Sequence, residues 1–185
     1  MSSNISRALP NSRRSTARVL GITGHQRLDD EDAWPWVDSA ITKILSAEEV
    51  PPVGTSSLAI GADQLFARAV LRAGGAIHVV IPFAGYALRF SEGENRQAYE
   101  TLLARGAQVE VLKRSGSDQD AYMAAGRRVV DISDVLIAVW DGKRAKGLGG
   151  TADVVAYAKT QGKPIVHINP GARTCIQIAP VSSGK

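Results

Sequence analysis

Backbone amides, hydroxyls and small side chains supply most of the chemistry available in this sequence, and they gather in three stretches. The richest is Trp140-Asp141-Gly142-Lys143 followed by Gly147-Leu148-Gly149-Gly150-Thr151-Ala152-Asp153. Its glycines stand at the mouth of a helix starting near Thr151. The N–H groups of Gly149, Gly150 and Thr151 would there cradle a phosphate, reinforced by the helix dipole. A glycine-rich turn that only spaces helix from strand is the alternative. The second stretch, Gly21-Ile22-Thr23-Gly24-His25-Gln26-Arg27, combines permissive backbone with a hydroxyl, an imidazole, an amide and a guanidinium. It reads as an anion-binding loop or as a tight strand-to-helix turn. In the third, Gly61-Ala62-Asp63-Gln64, small residues would let a ligand approach a helix N-terminus. Asp63 there could hold a sugar hydroxyl or serve only as an N-cap.

Asp63, Asp141 and Asp153 are the carboxylates beside these loops that could do acid–base work. Neither a Walker A loop nor a G-x-G-x-x-G fingerprint is present. One cysteine, Cys175, and no Cys/His cluster leave no structural zinc site, and neither a metal nor a resident cofactor is expected. Arg89, in the connection that also carries Tyr86, could reach a phosphate or pair with Glu92 or Glu94. His78 and His167 read as packed or edge residues, and Trp34 and Trp36 as core anchors.

The elements that must hold these loops alternate between short apolar runs and amphipathic segments. Strands are expected at Arg18–Thr23, Ser57–Gly61, Ile77–Ile81, Val109–Leu112, Val135–Trp140 and Pro164–Ile168. Helices are expected at Ala33–Glu49, from Asp63 to Gly74, at Asn95–Arg105, Asp118–Ser133 and Thr151–Thr160. Val37, Ala40, Ile41, Ile44 and Leu45 show the i, i+3, i+4 spacing of a half-buried helix. Strands apolar on both faces and separated by helices imply a single doubly wound, mostly parallel sheet with helices on both faces: an α/β, Rossmann-like fold. Ligands of such sheets bind beyond the carboxyl ends of the strands, where strand order reverses. All three loops leave strands at that end.

The expected division is a basic tail over 1–17, one domain over 18–170 and a C-terminal tail over 171–185. The net charge of +4 does not make this a nucleic-acid binder by itself. Arg7, Arg13, Arg14 and Arg18 account for the surplus, so the body is neutral and nucleic acid is a disfavoured partner. No apolar run reaches the ~20 residues of a membrane span, and no apolar signal core follows Met1, so a soluble, cytoplasmic protein without a membrane partner is expected.

Together GITGHQ (Gly21–Gln26), SLAIGAD (Ser57–Asp63), SDVLIAVWDG (Ser133–Gly142), GLGGTADVVAYA (Gly147–Ala158) and GKPIVHINP (Gly162–Pro170) resemble the SLOG superfamily. That Rossmann-like group includes the LOG phosphoribohydrolases, the DNA-processing protein A domain and the YpsA-like proteins. The opening GITGHQ looks closest to small stand-alone YpsA-like members. The resemblance implies a nucleotide or nucleotide-derived ligand at the strand ends, a phosphate on the GGT loop, and a homodimer. LOG enzymes carry PGGxGTxxE, whose glutamate assists cleavage of an N-glycosidic bond. Here Val154 stands at that position, Gly147 has no preceding proline, and Asp153 falls one residue early. One residue is about 100° of helix rotation, enough to take a carboxylate off the ligand face. The leading expectation is therefore a sensor or carrier module for a nucleotide-like small molecule. A nucleotide N-glycosidase using Asp63, Asp141 or Asp153 is the alternative, and a DNA-associated protein is the second.

Overall fold

The computed structural model describes residues 16–143 and 150–180. The expectations for 1–15, for Gly147 and Gly149, and for 181–185 lie outside those residues. Seven strands form one sheet: β1 Val19–Gly24, β2 Val53–Ser56, β3 Ala76–Ile81, β4 Gln108–Val111, β5 Val135–Val139, β6 Ile165–Asn169 and β7 Thr174–Ile178. Five α-helices connect them: α1 Trp34–Ser46, α2 Ala62–Arg72, α3 Glu94–Ala104, α4 Asp118–Ile132 and α5 Thr151–Thr160. The order across the sheet is β4-β3-β2-β1-β5-β6-β7, with every pairing parallel except β6–β7.

Alternation along β5 explains why helices must cover both faces. Val135, Ile137 and Val139 belong to one core, whereas Leu136 and Ala138 belong to another on the opposite face. Phe66, Val37 and Ile41 fill the first beneath α1 and α2; Val129, Val130, Val154 and Val155 of α4 and α5 fill the second. α1 begins at Trp34-Pro35, where a proline lacking its N–H costs no helical bond, and buries Val37, Ile41 and Leu45 along one stripe. Ser117 and Asp120 form a capping box that fixes the start of α4.

Two expectations change. The second strand is Val53–Ser56, not Ser57–Gly61, which instead runs as the loop into α2. Thr55 and Ser56 are fully buried despite their hydroxyls, so the strand lacks an apolar signature. The supposed C-terminal tail contains β7, which folds back antiparallel on β6 with Ile165 opposite Ile178 and Asn169 opposite Thr174. Four of its five residues are exposed, so no burial pattern marked it.

The chain moves outward from β1 through β2 and β3 to β4, then crosses back to β5 on the other side of β1. The loops after β1 and β5 therefore diverge to opposite faces, opening the crevice that this topology creates at its switch point. Among the described residues, no helix is long and apolar enough to cross a membrane.

Candidate functional site

A cleft of about 960 Å³ opens over the carboxyl ends of β1 and β5. Pockets for drug-sized ligands run from about 300 to 1,000 Å³. Thr23 to Arg27 form one wall; Trp140, Asp141 and Lys143 form the next. Gly150, Thr151, Ala152 and Val154 come from the start of α5, and Asp63 and Arg89 from the far side. Asn169 to Ala172, from the end of β6 into the turn before β7, supply a further wall, of which Gly171 and Ala172 fall in the expected C-terminal tail.

The start of α5 is open towards this space. Gly150 is its N-cap, with ordinary extended backbone (φ −76°, ψ 169°), and among the described residues no side chain caps the first turn. The Gly150 carbonyl accepts from the N–H groups of Asp153 and Val154, at 3.0 and 3.3 Å, so the helical ladder starts there. Thr151 and Ala152, ahead of that ladder, line the cleft. Val154 is buried and faces the cleft floor, while Asp153 is not among the lining residues. Of the three candidate carboxylates, Asp63 and Asp141 line the cleft and Asp153 does not.

The start of α2 is bonded to the protein's own loops. The Ala62 N–H donates to the carbonyl of His25 at 3.1 Å, and the Gln64 N–H to the carbonyl of Ala59 at 3.3 Å. Gly61 takes φ +84°, and a Cβ there would stand 2.5 Å from the His25 carbonyl oxygen. Its glycine is required by loop-on-loop packing rather than by a ligand. Gly21 likewise sits against α4, where a Cβ would come 2.4 Å from Ser133 Oγ. Gly21, Gly61, Ala62 and Gly142 are absent from the cleft lining.

Asp63 is not the N-cap of α2; Gly61 holds that position. The carboxyl is folded inward, where its Oδ2 accepts from Ser56 Oγ at 3.0 Å and from the Ser57 N–H at 3.1 Å. Burial pushes its pKa up to about 6, although the bonds from Ser56, Ser57 and Ala59 pull the other way. A carboxyl at the cleft wall thus titrates near neutrality.

The loops after β1 and β5 are stitched together across the switch point. His25 Nε2 lies 3.2 Å from the Asp141 N–H and 3.3 Å from Asp141 Oδ1. A neutral ring accepts the first; a protonated ring pairs with the second. Asp141 also receives the Lys143 N–H at 3.0 Å and the Lys143 ammonium at 3.2 Å. Burial would raise the Asp141 pKa, but Lys143 and His25 outweigh it and hold the carboxylate below its usual range. Lys143 reaches on to Asp29 at 3.5 Å. Arg27 is exposed on the rim.

Arg89 lines the cleft, yet its ion partner is Asp118, at 2.5 Å, rather than Glu92 or Glu94. It lies beside an aromatic group that the sequence did not bring together. Tyr86, Phe90 and Tyr122 all line the cleft, with Tyr86 at 5.2 Å from Phe90 and 6.1 Å from Tyr122 between ring centroids. They come from the β3–α3 connection and from α4, so no local spacing could reveal them.

No protein-family profile and no curated protein matches the chain. The fold is matched by solved structures. DNA processing protein A from Streptococcus pneumoniae superposes with a TM-score of 0.60 at 15% identity, over 82% of this chain and 50% of that one. DNA processing protein A from Helicobacter pylori, described with a single-stranded DNA binding mode, gives 0.57 at 19%, over 82% and 65%. The molybdenum cofactor carrier protein of Chlamydomonas reinhardtii gives 0.50 at 20%, over 83% and 77%. The chain spans half to two thirds of the length of the DNA processing proteins. It is a Rossmann-like α/β domain with its crevice at the strand ends. That arrangement is the one these DNA-processing and cofactor-carrier structures share with it.

Proposed function

We propose that this chain is a binding module for a nucleotide-like small molecule, held in the cleft with its anionic group at the start of α5. The observation that carries this reading is the first turn of α5, which no side chain among the described residues caps and which lines a cleft at the sheet's switch point. Orphan N–H groups at a helix N-terminus, with the dipole behind them, favour an anion. Arg27 and Lys143 on the rim add positive charge, and Val154 occupies the place where the resembling hydrolases carry their glutamate. The test is calorimetry or thermal-shift screening against nucleoside mono- and diphosphates, NAD-derived molecules and cyclic nucleotides. Saturable binding is expected; folded protein that binds none of them at millimolar concentration overturns the reading.

A hydrolytic second reading is favoured by Asp63, whose carboxyl titrates near 6 at the cleft wall, and by the His25–Asp141 pair. A general acid poised close to neutrality suits cleavage of an N-glycosidic bond. Release of free base from AMP, CMP or GMP separates the two readings. Asp141→Asn that loses turnover yet keeps binding would establish catalysis. Any weak, salt-sensitive DNA binding is expected to vanish when residues 1–17 are deleted.

A further inference from the structure

We propose that a second groove, between α2 and α3 and outside the cleft, is a docking site for an acidic amphipathic helix of a partner protein.

Gln64 Nε2 donates to the Asn95 carbonyl at 3.2 Å and joins the first turns of α2 and α3. Beyond that joint the two helices leave a groove of about 480 Å³ between them, and no residue that lines it also lines the cleft. Its floor is aliphatic: Leu102 is buried, and Leu71 and Ala98 are half-buried. Arg68 and Arg72 of α2, the Thr101 hydroxyl and Arg105, the C-cap of α3, stand around that floor. Among the described residues, no carboxylate and no aromatic ring lines it.

The charge here differs from that on the rest of the surface. Seven of the eleven arginines among the described residues pair with a carboxylate. Of the other four, Arg127 lies over the Tyr157 ring and Arg27 stands on the cleft rim. The remaining two, Arg68 and Arg105, are exposed and meet in this groove. Arg72 is held by Asp38 of α1 at 2.6 Å, and a guanidinium has five donors, more than that pair uses. Arg68 and Arg72, one helical turn apart, repel each other, and Asp38 relieves that repulsion on one side only.

Guanidinium groups without carboxylates, set around an aliphatic floor, define the occupant. Carboxylates pair with arginine in bidentate fashion, and leucine-type side chains at i, i+3 and i+4 of a helix fill an apolar groove. Single-stranded nucleic acid needs a stacking platform, which this groove lacks. The ends of the chain supply no such segment, because residues 1–15 and 181–185 carry Arg7, Arg13, Arg14 and Lys185 and no acid.

The probe is a fluorescein-labelled helical peptide with leucine at i, i+3 and i+4 and glutamate between, read by fluorescence polarisation against the full chain. Saturable binding is expected, weakened roughly tenfold or more in the Arg68→Ala/Arg105→Ala variant. Serine in place of the leucines should weaken it as well. A matched peptide with lysine in place of glutamate should not bind the parent, and should gain affinity for Arg68→Glu/Arg105→Glu, a rescue that only a folded groove can give. Equal binding of the glutamate and lysine peptides, affinity that survives Arg68→Ala/Arg105→Ala, or no binding at millimolar peptide overturns the proposal. So does light scattering that shows a dimer dispersed by the same variant, since the occupant is then a second copy of this chain. An oligothymidylate that displaces the peptide at equal affinity also overturns it, by making the groove a nucleic-acid surface. AMP binding at the cleft is expected to be unchanged in the variant, so failure here leaves the reading of the cleft standing.

Discussion

The helices α2 and α5 both start beside the cleft, both follow glycines, and both looked from sequence like places for an anion. Only one is open. At α2 the protein has supplied its own acceptors: the His25 and Ala59 carbonyls take the Ala62 and Gln64 N–H groups, and Gly61 lets the loops close over them. At α5 no side chain among the described residues caps the first turn, and Thr151 and Ala152 line the cleft. The same local motif thus builds a joint between two loops in one place and a candidate binding surface in the other. Which of the two results depends on what the neighbouring strand's loop brings to the helix, a tertiary fact.

The sharpest way to expose this difference is to add one methyl group at each end. Gly61→Ala must place a Cβ against two main-chain carbonyls, 2.5 Å from that of His25 and 2.6 Å from that of Gln26, at φ +84°. A loss of about 3 kcal/mol or more is expected in urea unfolding. At α5 the equivalent change, Gly150→Ala, meets ordinary backbone angles, and a loss below about 1 kcal/mol is expected. Similar losses at both sites would erase the distinction.

Next in size is a pH effect confined to the α2 end. The folded-state pKa of Asp63, about 6, lies above its ordinary 3.8, so the folded protein retains a proton that the unfolded chain releases. The stability contributed by the neutral acid is complete below about pH 4 and is lost as pH rises through 6. The size is up to about 3 kcal/mol. Asp63→Asn should flatten this component, measured as the difference in unfolding free energy between the two proteins at pH 4 and 7. A difference that does not change with pH would mean the carboxyl is solvated.

Ser56→Ala should cost about 1–3 kcal/mol, because Ser56 Oγ both donates to Asp63 and accepts the Leu58 N–H at 2.9 Å. Thermal unfolding reads it. The smallest effect is expected at Asp153→Asn, which lies off the cleft: ligand affinity should stay within about twofold of the parent, because only groups facing the ligand set its binding energy.

The elements with strong apolar periodicity were legible. Val135–Val139 is buried throughout, and α1 buries the stripe its spacing announced. β2 was misplaced because its two buried faces present Thr55 and Ser56, whose hydroxyls read as loop. β7 was missed because an edge strand that packs only one neighbour carries no burial signature. At the site, helix geometry set Asp153 apart from the position aligned with Val154, and Val154 lines the cleft where Asp153 does not. Asp63 was legible as an important position but not as a buried one, since of its partners Ser57 lay in a segment read as strand and Ser56 in the connection before it. Tyr122 and Phe90 gave no signal: their packing on Tyr86 from separate elements depends on strand order.

The contrast between the two helix starts is most directly tested by following backbone amide resonances while AMP is titrated into the protein. The account predicts saturable shifts of the Thr151 and Ala152 N–H signals, with that of Ala62 unmoved because His25 already holds it. Silence at Thr151 and Ala152 up to millimolar AMP, or a shift concentrated on Ala62, would contradict it.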